Sequence, residues 1–404
     1  MSPADTSGTP NAAFALPPEV VAAAAQGDPV AMTRVLVSIP SVNPALEEGG
    51  QGELEVARQA AAWLEAWGFD TQITEVLPGR ANVTGTLGNG GRTLLLNGHL
   101  DTVGVAGMTV PPFGGWLRDG RILGRGASDM KAGVAIVLTT AREWARTPGR
   151  GRLVVALTCD EEHASEGMQK LVEGGVRADA AVVTEPTSLA VMPAHKGFAW
   201  VEIAFRGRAA HGSRPEIGVD AIRHSAALLQ ELDALEVTLA RRSPHPLLGH
   251  GSFHAGTIRG GSAWSVYPDA CVLTLERRTL PGEPGDGFLG EVEQALKRVM
   301  RRIPSLEAAL RLDLVRPATE VPVEHPLVQG LLSAAEAEGV APRVEGMTAW
   351  VDAAYLNEAG IPAVCFGPGS IAQAHSTDEW VDEEEIRTGA RILSRFTRDF
   401  LNGA

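Results

Sequence analysis

Hydrophobic and polar positions along the chain change period several times. Gly52 to Trp67 repeats its apolar residues at helical spacing and stops at Gly68. An earlier helix is predicted to begin near Pro18, opened by Pro17-Pro18-Glu19. Short strands are predicted at Asp70 to Val76, Asn82 to Leu87 and Arg92 to Asn97. Between the last two lies Gly88-Asn89-Gly90-Gly91. No helix follows that run, so it reads as a hairpin turn and not as a phosphate loop. Lys131 to Trp144 and Ser165 to Glu173 have helical spacing, while Arg152 to Thr158 and Ala180 to Val183 are almost wholly apolar, as strands buried on both faces should be. Strand alternates with helix, which predicts an α/β fold with a three-layer α/β/α unit.

After Lys196 the pattern changes. Phe198 to Arg206 alternates, with Val201, Ile203 and Phe205 on one face. A helix from Gly218 to Leu235, strands at Ser252 to Ile258 and Asp269 to Leu275, a helix from Phe288 to Arg302 and a strand from Leu306 to Val315 follow. The order β-α-β-β-α-β is the ferredoxin-like motif. It predicts a domain at 196–316 inserted into one formed by 17–195 and 317–404, with 1–16 as a flexible tail. Alternation resumes with helix Pro326 to Glu338, a strand near Arg343, helix Val351 to Ala359, strand Ala363 to Phe366 and helix Glu383 to Phe400.

Length and composition agree: 404 residues suit two domains better than one, and 44% hydrophobic with 21% charged is ordinary globular usage. A net charge of -14 argues against nucleic acid and anionic membranes as partners. Cys159, Cys271 and Cys365 are odd in number, far apart and set in apolar surroundings, so they read as buried thiols. With no signal peptide and no apolar stretch of membrane length, the expected location is the cytoplasm.

The chemistry lies at the ends of the buried strands. Arg92 to Leu96 runs into Asn97-Gly98-His99-Leu100-Asp101-Thr102, and strand alternation points His99 and Asp101 the same way. That spacing suits a metal-ligating imidazole with a carboxylate to orient it. Asp129 stands at the start of a helix, where an isolated acid would serve as a cap. Leu153 to Thr158 leads into Asp160-Glu161-Glu162, three acids that repel unless something positive sits among them. Ala180 to Val183 leads into Thr184-Glu185-Pro186-Thr187, and Gly367-Pro368-Gly369 precedes Gln373-Ala374-His375-Ser376. Strand ends in α/β sheets are where ligands bind. Two histidines with three or more carboxylates match a pair of zinc-like ions sharing one carboxylate. A further acid beside the ions would be the general base for the attacking water.

In this order, His99-Leu100-Asp101-Thr102-Val103, Gly124 to Gly133, Asp160-Glu161-Glu162, Glu185-Pro186-Thr187 and Ala374-His375 resemble the motifs of the M20 metallopeptidase family, most closely its acetylornithine deacetylase and succinyl-diaminopimelate desuccinylase branch. The resemblance covers nearly the whole chain after the tail. It implies that Asp129 bridges two divalent ions, zinc or cobalt, and that the following peptide bond is cis. His99 and Glu185 would complete one site, and Glu162 and His375 the other. Glu161 would be the general base, and Asp101 would hold His99. The inserted domain resembles the family's lid or dimerisation domain, implying a homodimer. Within it, Ala210-His211-Gly212-Ser213-Arg214-Pro215 matches a motif whose histidine stabilises the oxyanion, a role an imidazole donor suits. Arg277-Arg278-Thr279-Leu280-Pro281-Gly282 matches a segment whose arginine binds the substrate carboxylate. Arg278 is the choice there, with Arg277 as the solvent-facing alternative by strand parity.

Two positions depart from the family pattern: Ser265 stands where an Asn is common, and Val351-Asp352 replaces a Thr-Asp pair. Both bear on substrate identity and neither on the expected ligands. The expected activity is therefore metal-dependent hydrolysis of the amide bond of an N-acyl amino acid. A dipeptidase or carboxypeptidase on the same scaffold is the alternative. An inactive metal-binding regulatory protein is the alternative of another class, and an acid such as Glu161, beside the metals without binding them, argues against it. Among the remaining histidines, His195 stands at the domain hinge.

Overall fold

The computed structural model describes residues 16–403. The expected tail thus lies outside the described residues, except for Leu16, which packs against the main core. The chain forms two compact units. The first holds the described residues up to Pro193, Val321–Val344 and those from Tyr355 onward; the second is Ala194–Glu320 with Glu345–Ala354. Helix–strand alternation alone would assign that last segment to the flanking domain. Tertiary bonds tie it to the insertion instead: Lys196 N donates to Met347 O at 3.1 Å and Trp350 Nε1 to Pro317 O at 3.1 Å.

In the first unit, α1 (Pro18–Ala25) and α2 (Pro29–Ser38) both start on proline. The helix expected to begin near Pro18 does so, and Gly27 at φ 92° separates it from the next. The Asp28 carboxylate caps α2 by accepting from Ala31 N at 2.8 Å. Next come α3 (Leu54–Ala66), β1 (Asp70–Leu77), β2 (Arg80–Leu87) and β3 (Thr93–His99). After β4 (Trp116–Arg118) and β5 (Arg121–Leu123) follow α4 (Ala132–Arg146), β6 (Arg152–Thr158), α5 (Glu166–Glu173), β7 (Ala180–Val183) and β8 (Val191–His195).

The second unit comprises β9 (Gly197–Arg206), α6 (Ala221–Arg241), β10 (Ser252–Gly260), β11 (Ala270–Thr279), α7 (Gly287–Arg302), β12 (Glu307–Arg316) and β13 (Thr319–Glu320). The chain then runs through α8 (Pro326–Ala337), β14 (Val344–Met347), α9 (Ala353–Glu358), β15 (Ala363–Cys365), β16 (Trp380–Asp382) and α10 (Glu383–Asn402).

The central sheet has the order β1-β2-β6-β3-β7-β15-β8. β6, β3, β7 and β15 run parallel, and β1 and β2 close one side antiparallel. Leu94 and Leu96 of β3 enter the core shared with α2, α3, α4, α8 and α10, while Leu95 is buried on the opposite face. A sheet buried on both faces explains the unbroken apolar runs. Gly88–Gly91 is not a hairpin turn, because β6 lies between β2 and β3; the hairpin is β1–β2, turning at Pro78-Gly79.

In the second unit the sheet order is β10-β11-β9-β12, all antiparallel. Val201, Ile203 and Phe205 of β9 and Leu273 and Leu275 of β11 pack with Leu228 and Leu232 of α6 and Phe288, Val292 and Leu296 of α7. The other face carries exposed residues such as Trp200, and β10 is an exposed edge.

Candidate metal centre

Parallel register brings the strand ends of the first unit together. His99, the last residue of β3, stands beside Thr158 of β6, and Asn97 stands beside Val183 of β7. The acids that follow β6 and β7 therefore emerge at the same edge as His99. Asp129 arrives from another direction. Ala127–Lys131 is one wide turn in which Asp129 (φ -120°, ψ 98°) leaves helical geometry, and the Asp129–Met130 peptide bond is cis. Asp129 is thus no helix cap. Its Oδ1 lies 3.1 Å from His99 Nε2 and its Oδ2 3.6 Å from His375 Nε2. His375, at φ 60°, also places Nε2 3.0 Å from Glu162 Oε2. Ligand atoms of His99, Asp129 and Glu162 lie within 4.8 Å of one another. Glu161 Oε2 is 4.0 Å from His99 Nε2, beside this group. Glu185 is buried, and its charge reaches His99.

Asp101 does something other than the spacing predicted. His99 Nδ1 is 3.0 Å from the Asp101 backbone carbonyl and 3.6 Å from its carboxylate. A carbonyl only accepts, so Nδ1 is the donor there, and the ring's other nitrogen, Nε2, faces the acids. The Asp101 carboxylate instead accepts from Glu161 N and Glu162 N, each at 3.1 Å, and from Asn43 Nδ2 at 2.8 Å. It fixes the backbone of both glutamates.

The electrostatics are those of crowded acids. Burial lowers the proton affinity of His99, but its bond to Asp129 and the charges of Glu185, Glu161 and Asp129 outweigh burial and raise it well above the usual imidazole value. Burial, with the neighbouring charge of Asp129, pushes the Glu162 carboxyl up to about 6. The bond to Glu162 raises His375. Glu162 Oε1 is buried with no hydrogen-bond partner among the described residues. Imidazole nitrogens and carboxylate oxygens around such an atom fit a divalent transition metal.

Two buried networks behind the centre were not anticipated from sequence. In the first, Arg80 binds Glu53 through Nε and Nη2 and donates through Nη1 to Asp160 Oδ1 at 2.7 Å. The positive partner that the acid run requires is thus Arg80, and it serves Asp160. In the second, the Glu379 carboxylate accepts from Arg125 and from three backbone N–H groups of the Asp129 turn. The only signal for Glu379 is its place four residues after His375, and the exposed Asp378, three residues after it, stands as near. The Gly367 turn is tightly placed too, since a Cβ there would lie 2.6 Å from the Thr184 and Glu185 carbonyl oxygens.

His211 and Arg278 belong to the second unit. His211 is exposed, with Nδ1 2.8 Å from Ser213 Oγ, and Gly212 N donates to Ser265 O at 2.7 Å. Arg278 is partly exposed; its Nε donates to Glu276 at 2.6 Å and its guanidinium lies 5.2 Å from the centre of the Phe198 ring. Arg277 does not face solvent. It is 2% exposed, on the helix-covered face, and bound to Glu283. Val351 and Asp352 are buried in the same unit.

Known proteins resemble this chain over most of its length. It is 34% identical to an acetylornithine deacetylase of Myxococcus xanthus over 360 residues, 85% of this chain and 91% of the relative. An acetylornithine deacetylase of Vibrio atlanticus (strain LGP32) is 31% identical over 376 residues, 90% of this chain and 95% of that one. Among solved structures, the aminopeptidase PepT of Bacillus cereus ATCC 10987 superposes with TM-score 0.76 at 20% identity, covering 92% of this chain and 97% of its own. A dinuclear metal-binding peptidase of the M20 family from Bacillus subtilis gives 0.72 at 17%, covering 95% and 100%. Residues 95–399, from within β3 to the last helix, match Peptidase family M20/M25/M40. With that match and relatives above 30% identity along most of their length, the chain belongs to peptidase family M20/M25/M40, as a metal-dependent hydrolase of amide bonds.

Proposed function

We propose that the protein hydrolyses the amide bond of an N-acyl amino acid, releasing a small carboxylic acid and a free amine. The observation that carries the reading is the Asp129 carboxylate, with one oxygen turned to each of two imidazoles and Glu161 beside them. In this reading His99, Asp129, Glu162, Glu185 and His375 would hold two divalent ions, zinc or cobalt, with Asp129 shared, His99 and Glu185 serving one and Glu162 and His375 the other. The ions, when bound, supply Lewis-acid activation of the water and of the substrate carbonyl. Glu161 takes a proton from the attacking water and hands it to the leaving nitrogen. Asp101 holds Glu161 and Glu162 through their N–H groups, and the His99 ring through its carbonyl. His211 would donate to the developing oxyanion and Arg278 would bind the substrate carboxylate with its guanidinium fork.

The acyl-amino-acid class is favoured by the acetylornithine deacetylases above 30% identity. A dipeptidase reading has its own support in structural neighbours such as human carnosine dipeptidase 1, TM-score 0.69 at 17% identity over 94% of this chain and 96% of that one. Pocket contacts separate the two classes. Three unbridged, buried cysteines suit a reducing cytoplasm. The exposed β10 edge is a surface for a homodimer through the inserted unit. Among the described residues no helix is long and apolar enough to cross a membrane.

The test is turnover of N-acetyl-ornithine, N-succinyl-diaminopimelate and a dipeptide panel by protein loaded with zinc or cobalt. Preference for an N-acyl amino acid is expected. Preference for dipeptides would replace this reading with the second, and hydrolysis of none would overturn both.

A further inference from the structure

We propose that Glu379 is a positioning residue whose carboxylate sets where Asp129 and His375 stand. The proposal rests on the reading of those two side chains as metal ligands.

Every acceptor direction of this carboxylate is used. Oε1 accepts from Ser128 N at 2.8 Å and Asp129 N at 3.0 Å. Oε2 accepts from Gly126 N at 3.0 Å and Arg125 Nη1 at 2.7 Å. The side chain is fully buried. Convergent backbone N–H groups form an anion-binding nest. The donors converge because Gly126 is left-handed (φ 80°) and the turn is wide, closed by Lys131 N to Gly126 O at 2.8 Å. Such a turn leaves its N–H groups without helical partners, and an acid 250 residues away supplies them.

The main chain of Glu379 is anchored as firmly. Gly124 N donates to its carbonyl at 3.1 Å, β16 starts at the next residue, and Trp380 pairs with Leu123 of β5. Upstream, Thr109 N donates to Thr377 O at 2.8 Å. One residue thus joins the turn that carries Asp129 to the segment that carries His375. Helix capping alone would need one or two of these bonds. Binding Asp129 N itself, together with two other amides, fixes the direction in which the Asp129 side chain leaves the turn.

The amide of Glu379→Gln cannot replace this group, since either oxygen exchanged for NH2 would set a donor against two donors. Partners of this kind are worth about 10- to 100-fold in metal affinity. The experiment uses Co(II): affinity by chelator competition, the visible absorption spectrum of the bound ion, and kcat and KM on the best N-acyl substrate. In Glu379→Gln, Co(II) affinity should fall about 10- to 100-fold, the spectrum should shift, and kcat should drop more than KM changes. Glu379→Asp, which keeps both acceptors, should recover part of each loss. Asp378→Asn, at the exposed neighbour, should match wild type. Wild-type affinity and spectrum in Glu379→Gln would overturn the proposal. If that variant does not fold, the same result in Glu379→Asp overturns it, and shifted values support it. Wild-type protein that binds no Co(II) would sink the ligand reading itself, whatever the variants do.

Discussion

Glu161 and Glu162 are adjacent, yet they meet different neighbours: Glu162 Oε2 lies 3.0 Å from His375, while Glu161 stands 4.0 Å from His99. Base and ligand should therefore separate on mutation. Glu161→Ala should lose roughly 100- to 10,000-fold in turnover and keep its metal, as read by metal analysis after gel filtration. Asp129→Ala should lose metal and activity together. Metal loss in Glu161→Ala would reverse the assignment. A different test concerns His195, the buried last residue of β8, whose ring meets that of Trp350 at a near-right angle. Burial lowers its pKa from 6.5 to about 4. Between those values the unfolded chain binds a proton that the folded one does not, so stability falls as pH drops from 6.5 toward 4, by up to roughly 3 kcal/mol. Urea unfolding of His195→Gln across that range should show a shallower loss than wild type; equal slopes would refute the assignment. The histidines and acids at strand ends were legible from sequence because strand parity and apolar runs point to them. Arg80, Glu53 and Glu379 were not. Their partners lie tens to hundreds of residues away, and nothing local distinguishes Glu379 from Asp378 or from Glu383 to Glu385.

At the scale of elements, β3 does most of the positioning. It lies between β6 and β7, is buried along its whole length and ends at His99. Leu96→Ala should cost about 2–5 kcal/mol, read as a lower urea midpoint, because a fully buried side chain between packed layers leaves a cavity. A cost below 1 kcal/mol would mean that this layer repacks freely. Long periodic elements such as α3, α7 and α10 were legible because their apolar stripe is complete within the element. β4, β5 and β16 were not, being three residues each. The Gly88–Gly91 error has a related cause: local turn chemistry reports that the chain bends, while the insertion of β6 between β2 and β3 is a long-range event.

Across the whole molecule, the expected ligands come from both sides of the insertion: His99 to Glu185 precede it and His375 follows it. Metal should therefore stabilise the first unit specifically. After chelation, calorimetry should show one transition moved down and the other unmoved. Restoring zinc to about 100 times its Kd should return roughly 2.7 kcal/mol. Movement of both transitions equally would place metal binding elsewhere. The His375–Glu162 contact closes a loop of 213 residues. An ion shared by these residues acts on the unfolded chain as a reversible cross-link. Such clips remove most freedom when the loop they close is long. A chain emerging from the ribosome carries His99, Asp129, Glu162 and Glu185 long before His375, so in this reading one ion could be held early, and the site that includes His375 would be completed only when the segment after the insertion has been made.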